Sequence, residues 1–165
     1  MNGEPGAVIA IRPATTADAA WIAAVMDDGW GGPTIWADGR LHDALALPAL
    51  IAGDPKGVTI YDVAGRRAEL LLLHALEPRR GIGTALVEAL VGRLTPLDVR
   101  ELWLSTTNDN LDALRFYQRR GFRLVEVRPG AMAEGRRHKP TIPEISDHGI
   151  PMRDELRLVR EIAGD

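Results

Sequence analysis

The chain has 165 residues, enough for one domain with a sizeable core but short for two. Hydrophobic residues make up 45% and charged ones 26%, the balance of an ordinary globular domain, not of a disordered chain. Cysteine is absent, which excludes disulfides, zinc–thiolate sites and a cysteine nucleophile, and 20 basic against 23 acidic residues (net −3) argue against a dedicated nucleic-acid binder.

The opening MNGEPGAVIAIRP has no cationic leader followed by an apolar run, and the longest apolar run, Ala44–Ala52, is interrupted by Pro48. A cytoplasmic protein without a membrane partner is expected, with residues 1–6 disordered and one domain over 7–162. Ala7–Ile11 reads as a first strand. TTADAAWIAAVMDD follows with helical spacing at Ala20, Ala23, Ala24 and Asp27, and with Thr16 or Asp18 as N-cap. GWGGPTIWADGR, rich in glycine, reads as a loop.

LPALIAGDPKGVTIYDVAGRRAELLLLHAL reads as three short strands separated by Gly-Asp-Pro and Ala-Gly-Arg turns. Residues 82–94 carry apolar side chains at helical intervals, closed by Pro96. VRELWLSTT reads as a strand, NLDALRFYQRR as a helix ended by Gly121, and FRLVEVR as another strand. After a long connection, 129–153, the tail DELRLVREI alternates as a last strand, with a helix as the other reading. The fold class is mixed α/β.

The stretch EPRRGIGTALVEAL sets two glycines, Gly81 and Gly83, at a helix start, where free amides and the helix dipole favour an anion. A triphosphate loop needs a lysine after its last glycine, and none follows Gly83. A dinucleotide loop needs Gly or Ala where Leu86 stands, and an acid at the end of the next strand, whereas Glu101 stands at its start. The diphosphate of an acyl carrier is the third candidate.

Three stretches in order, PRRGIGTAL, AELLLLHAL and NLDALRFYQRRGF, resemble those of the GNAT superfamily of acyl-CoA N-acyltransferases, over roughly residues 7–162. The resemblance implies a mostly antiparallel central sheet flanked by helices, and acetyl-CoA as co-substrate. It implies a small-molecule or peptide amine as acceptor, with a homodimer as the assembly to test. No nucleic acid and no metal enter this scheme. It also implies that Arg79, Arg80, Gly81, Ile82, Gly83 and Thr84 hold the diphosphate, that Leu73 and Ala75 pair with the pantetheine arm, and that Asn110 contacts the carrier. Pro78 departs from the family pattern, standing where Gln or Arg is usual and offering no N–H. A non-catalytic acyl-CoA-binding module is therefore the competing reading, and a dinucleotide-binding domain a third.

Under the same resemblance Tyr117 is the general acid, its phenol roughly matched to an alkyl thiol. Glu69 is the base candidate. An ordinary glutamate near about 4.3 lies about 6 units below an alkylammonium, a gap of roughly 8 kcal/mol, so its leucine-rich strand must raise it. His74 is a second candidate, but regular alternation sends it to the face opposite Glu69, Leu71 and Leu73 unless a bulge intervenes. Trp30, Trp36, Arg40, His42 and Asp43 fall on the expected acceptor side, the tryptophans either lining an amine pocket or capping the core. The run RRHK at 136–139 either contacts a phosphate or an acidic acceptor, or is a solvated turn.

Overall fold

The computed structural model of the chain describes residues 8–163. β1 (Ile11–Pro13) leads to α1 (Ala19–Trp30), then the hairpin β2 (Thr34–Ala37) and β3 (Arg40–Asp43). β4 (Ala49–Ala52), β5 (Gly57–Ala64) and β6 (Arg67–Ala75) form a meander that ends at α2 (Ile82–Leu94). β7 (Glu101–Thr107), α3 (Leu111–Gln118), β8 (Arg123–Arg128), α4 (Ala131–His138) and β9 (Glu155–Glu161) complete the order.

Seven strands make one sheet in the order β1-β4-β5-β6-β7-β9-β8, with β2 and β3 paired apart from it. Its pairings are antiparallel except that of β6 with β7. That parallel pairing is brief: Arg67, Ala68 and Glu69 face Glu101, Leu102 and Trp103. Past Glu69, β6 stays bonded only to β5, and past Trp103, β7 stays bonded only to β9. The sheet forks there.

On one face α2 and α3 bury Leu86, Val87, Leu90, Leu94, Tyr117 and Phe122 against Leu70, Leu102, Leu104 and Leu158. The α2 spacing 86, 87, 90, 94 is one side of a helix, and each of those side chains is fully buried, worth about 2 kcal/mol apiece. On the other face α1 and the hairpin pack Ile22, Met26 and Ile35 over Ile51, Val58, Ile60 and Leu72. Gly135 of α4 lies against Trp36 so closely that an added Cβ would stand 2.7 Å from the indole.

The mixed α/β expectation agrees with this architecture, and the helix expected over 82–94 has those bounds. The meander, the two later strands and the strand form of the tail also agree. Three readings change. The first strand is Ile11–Pro13, while the expected start, Ala7, and the expected disordered residues 1–6 lie outside the described residues. GWGGPTIWADGR is not all loop: its second half is the β2–β3 hairpin, turned by Asp38 and Gly39 at φ 50° and 71°. Asp-Gly supplies the left-handed pair that a two-residue turn requires. The 129–153 connection contains α4.

Candidate active site

The glycine turn sits directly before α2. Gly81 is the N-cap with φ 76°, a left-handed value that disfavours a side chain, and nothing crowds it. Gly83 has a different reason: an added Cβ would stand 3.2 Å from the Phe116 ring. Being first-turn residues, Ile82, Gly83 and Thr84 have amides without intrahelical acceptors. Pro78 lies in the preceding turn, outside that helix start, so its missing N–H subtracts nothing from it. Arg79 takes φ 65°, and Arg80 is exposed, 3.6 Å from Glu77. Arg120, absent from the sequence reading, joins them: it stacks 3.6 Å over Phe116 and donates to Thr84 Oγ1 at 2.9 and 2.5 Å. Its motif position gave no sign of this, because the contact needs α3 folded beside α2.

β6 carries a bulge. Tyr61 pairs with Leu70 and Ile60 with Leu72, leaving Leu71 without a partner. The alternation resets there, so Leu73 and Ala75 pack on the α2 face with Ala68 and Leu70, while His74 lies edge-on to Trp30, 5.6 Å between centroids. The regular-strand expectation that His74 points away from Glu69's face is thereby corrected. Burial keeps His74 below its ordinary pKa, and it lines neither cavity described below.

A small cavity of about 160 Å³ occupies the fork, lined by Leu70 to Leu73 of β6, Leu104 to Thr106 of β7, and Asn110, Ala113 and Tyr117. Tyr117 is otherwise buried, and burial pushes its phenol well above the ordinary value, only partly offset by Arg120. Asn110 caps α3, its Oδ1 accepting from the Ala113 amide at 3.2 Å, which leaves its NH2 group and one lone pair of Oδ1 to meet a ligand. Leu73, Asn110 and Tyr117 thus line the fork cavity together, whereas Ala75, further along β6, lines neither cavity.

Glu69 stands at the base of the fork. It is 3% exposed, its Oε1 has no hydrogen-bond partner, and Arg40 of β3 reaches the other oxygen at 3.7 Å. Burial pushes its carboxyl up to about 7, with Asp38 and Asp62 adding to the rise and Arg40 and Arg157 opposing it. Glu69 lines neither cavity; the hairpin roofs it. That hairpin is held by a charged cluster in which Arg128 meets Asp38 at 2.6 Å and Glu155 at 2.8 Å, with Arg157 also on Asp38. His42, on β3 itself, is buried and kept below its ordinary pKa first by desolvation.

A larger cavity of about 690 Å³ opens on the α1 side, walled by α1, the hairpin, β7 and the 129–153 connection. Trp30 and Trp36 both line it, as the pocket reading expected, but Arg40, His42 and Asp43 do not. Asp43 instead accepts from the Leu45 amide at 3.1 Å. The basic run is largely structural: Arg136 donates to the Pro143 and Met152 carbonyls, His138 stacks on Trp36, and Lys139 is buried, donating to the Thr34 carbonyl. The two cavities meet, sharing Trp30, Leu70, Leu71, Ser105, Thr106 and Asn110. Ser105 and Asp109, both missed in the sequence, line the larger one, each with an oxygen that is buried and without a partner among the described residues.

Residues 35–122 match the model of the acetyltransferase (GNAT) family, and the chain belongs to that family. A Bacillus subtilis protein, YxbD, itself uncharacterized, is 34% identical over 145 residues, covering 86% of this chain and 91% of its own length. Among solved structures, an IAA acetyltransferase from Bacillus cereus superimposes with a TM-score of 0.68 at 20% identity, over 93% of this chain and 99% of that one. A Bacillus subtilis acetyltransferase in complex with CoA gives 0.68 at 19% identity, over 94% and 100%.

Proposed function

We propose that the chain transfers an acetyl group from acetyl-CoA to a primary amine by direct attack, without a covalent enzyme intermediate. The observation that carries this is the fork. β6 beyond Glu69 presents backbone N–H and C=O groups that no strand satisfies on the β7 side, and Tyr117 stands in the cavity beside them. An extended amide-bearing arm suits such an edge, as a strand would. Amides of Ile82 to Thr84, with Arg79, Arg80 and Arg120 near them, suit a diphosphate. The bound carrier supplies a thioester carbonyl activated for acyl transfer.

The chain's residues then divide the work. The amine nitrogen attacks the carbonyl carbon from the larger cavity, a C–N bond forms and the C–S bond breaks. Glu69, raised to about 7, takes the ammonium proton through an intervening water, since it stands off the cavity wall. Tyr117 returns a proton to the departing sulfur; burial raises its phenol above the thiol it was expected to match, so the transfer relies on the same dry cavity raising the basicity of the thiolate. A β6 backbone amide near Leu73 receives the developing oxyanion.

The test is thiol release from acetyl-CoA with a panel of amines. Tyr117→Phe is expected to lower kcat roughly hundredfold while CoA affinity by calorimetry holds. CoA binding without turnover of any amine would instead favour the non-catalytic module, and binding of NAD in place of CoA the dinucleotide reading.

A further inference from the structure

The larger cavity has an electrostatic bias that acetyl transfer alone does not require. Its walls carry Asp27, Asp28, Asp109 and Asp147 against Lys139 and His148. None of the four carboxylates forms an ion pair among the described residues. The Lys139 ammonium is turned to the Thr34 carbonyl, and His148 lies 3.9 Å from Asp112.

Asp109 separates this wall from an ordinary acidic surface. It is 6% exposed, and its Oδ1 is wholly buried with no partner. Oδ1 itself is closed to the cavity, so a cation there meets the rest of the carboxylate, whose charge has no ion-pair partner among the described residues, and lowers the cost of holding that charge away from water. Asp109 directly precedes Asn110, one of the residues where the two cavities meet, so a group held by Asp109 stays beside the fork. Two indoles, Trp30 and Trp36, complete walls that favour a cation over an anion.

We infer that the acceptor is a small amine carrying a second ammonium group, and that Asp109 receives that second charge while the first nitrogen, neutral, faces the thioester. This rests on the acetyl-transfer reading for the reaction itself, but the cation site stands on the cavity alone. Linear diamines and polyamines share this chemistry with amino sugars. The arms of the experiment separate them.

The experiment has two readouts at physiological salt. In the first, butylamine, 1,4-diaminobutane, spermidine, a diamino sugar and 4-aminobutyrate are compared as acceptors by kcat/KM. The di- and tricationic amines are expected to exceed butylamine by roughly tenfold or more, the size of one charge-assisted contact, with 4-aminobutyrate slowest. Asp109→Asn is expected to bring the diamine-to-monoamine ratio close to one, and Asp109→Glu to restore part of it. A ratio near one in the unaltered protein, or one unchanged in Asp109→Asn, overturns the inference.

In the second, the same amines are titrated into CoA-loaded protein by calorimetry, and the dicationic ones are expected to bind at least about tenfold tighter. Equal or absent binding overturns the inference without any need for a variant. Tight diamine binding with no turnover of any amine leaves the cation site standing and removes the acetyl-transfer reading instead.

Discussion

Glu69 is a carboxylate that folding removes from water, and its titration should be visible in stability. Its folded value, about 7 against 4.5, is raised, so between those values the folded chain holds a proton that the unfolded chain has released. Stability from this group is therefore full below about pH 4.5 and declines as pH rises toward about 7, by up to about 3 kcal/mol. His42 and His74, held below their ordinary values, act with the opposite sign as pH passes their range. Urea unfolding of the unaltered chain and of Glu69→Gln isolates the glutamate: the variant should gain stability relative to the parent from about pH 5 to about pH 8. A base role adds a kinetic mark, a rising limb of kcat/KM near pH 7 that Glu69→Gln loses. Tyr117 and Asn110 were legible because they sit in a spaced motif, and both reach the fork cavity. Ser105 and Asp109 were not, since a lone polar residue gains meaning only when folding removes its water.

Among the elements, the two glycines before and in α2 predict separable defects. Gly83→Ala would place a Cβ 3.2 Å from the Phe116 ring, so the ring or the start of α2 must give by a few tenths of an ångström. A loss of about 1–2 kcal/mol is expected, several degrees in melting temperature, together with weaker CoA binding. Gly81→Ala meets no neighbour and costs about 1 kcal/mol through its left-handed φ. Thermal melts and CoA titrations of both variants check this, and a Gly83→Ala as stable as the parent would refute the packing role. The same elements show what local sequence carries. α2 was readable to its ends because its spacing, its preceding glycines and Pro96 agree. The β2–β3 hairpin was obscured by four glycines and a proline in one stretch, although its Asp38-Gly39 turn is written there plainly. The bulge at Leu71 leaves no local trace, and it decides on which side His74 falls.

For the molecule as a whole, the proposed seat of the carrier at the fork would tie its binding to stability. A ligand that binds only the folded chain adds about 2.7 kcal/mol at a hundred times its dissociation constant, or roughly 5–10 °C for a chain of this size. CoA should produce such a shift, whereas NAD should produce none; a flat response to CoA would count against the fork as its seat. The global architecture was legible from the order of the strands and helices. Where β6 leaves β7 was not, because strand pairing is a long-range choice that neither segment encodes alone.

The open seam carries a further consequence for turnover. Its backbone groups would bond to the pantetheine arm, and that arm is unchanged when the acetyl group departs. Spent CoA should therefore zip into the seam about as firmly as the loaded form. Added CoA should then act as a competitive product inhibitor against acetyl-CoA, with an inhibition constant close to the acetyl-CoA dissociation constant.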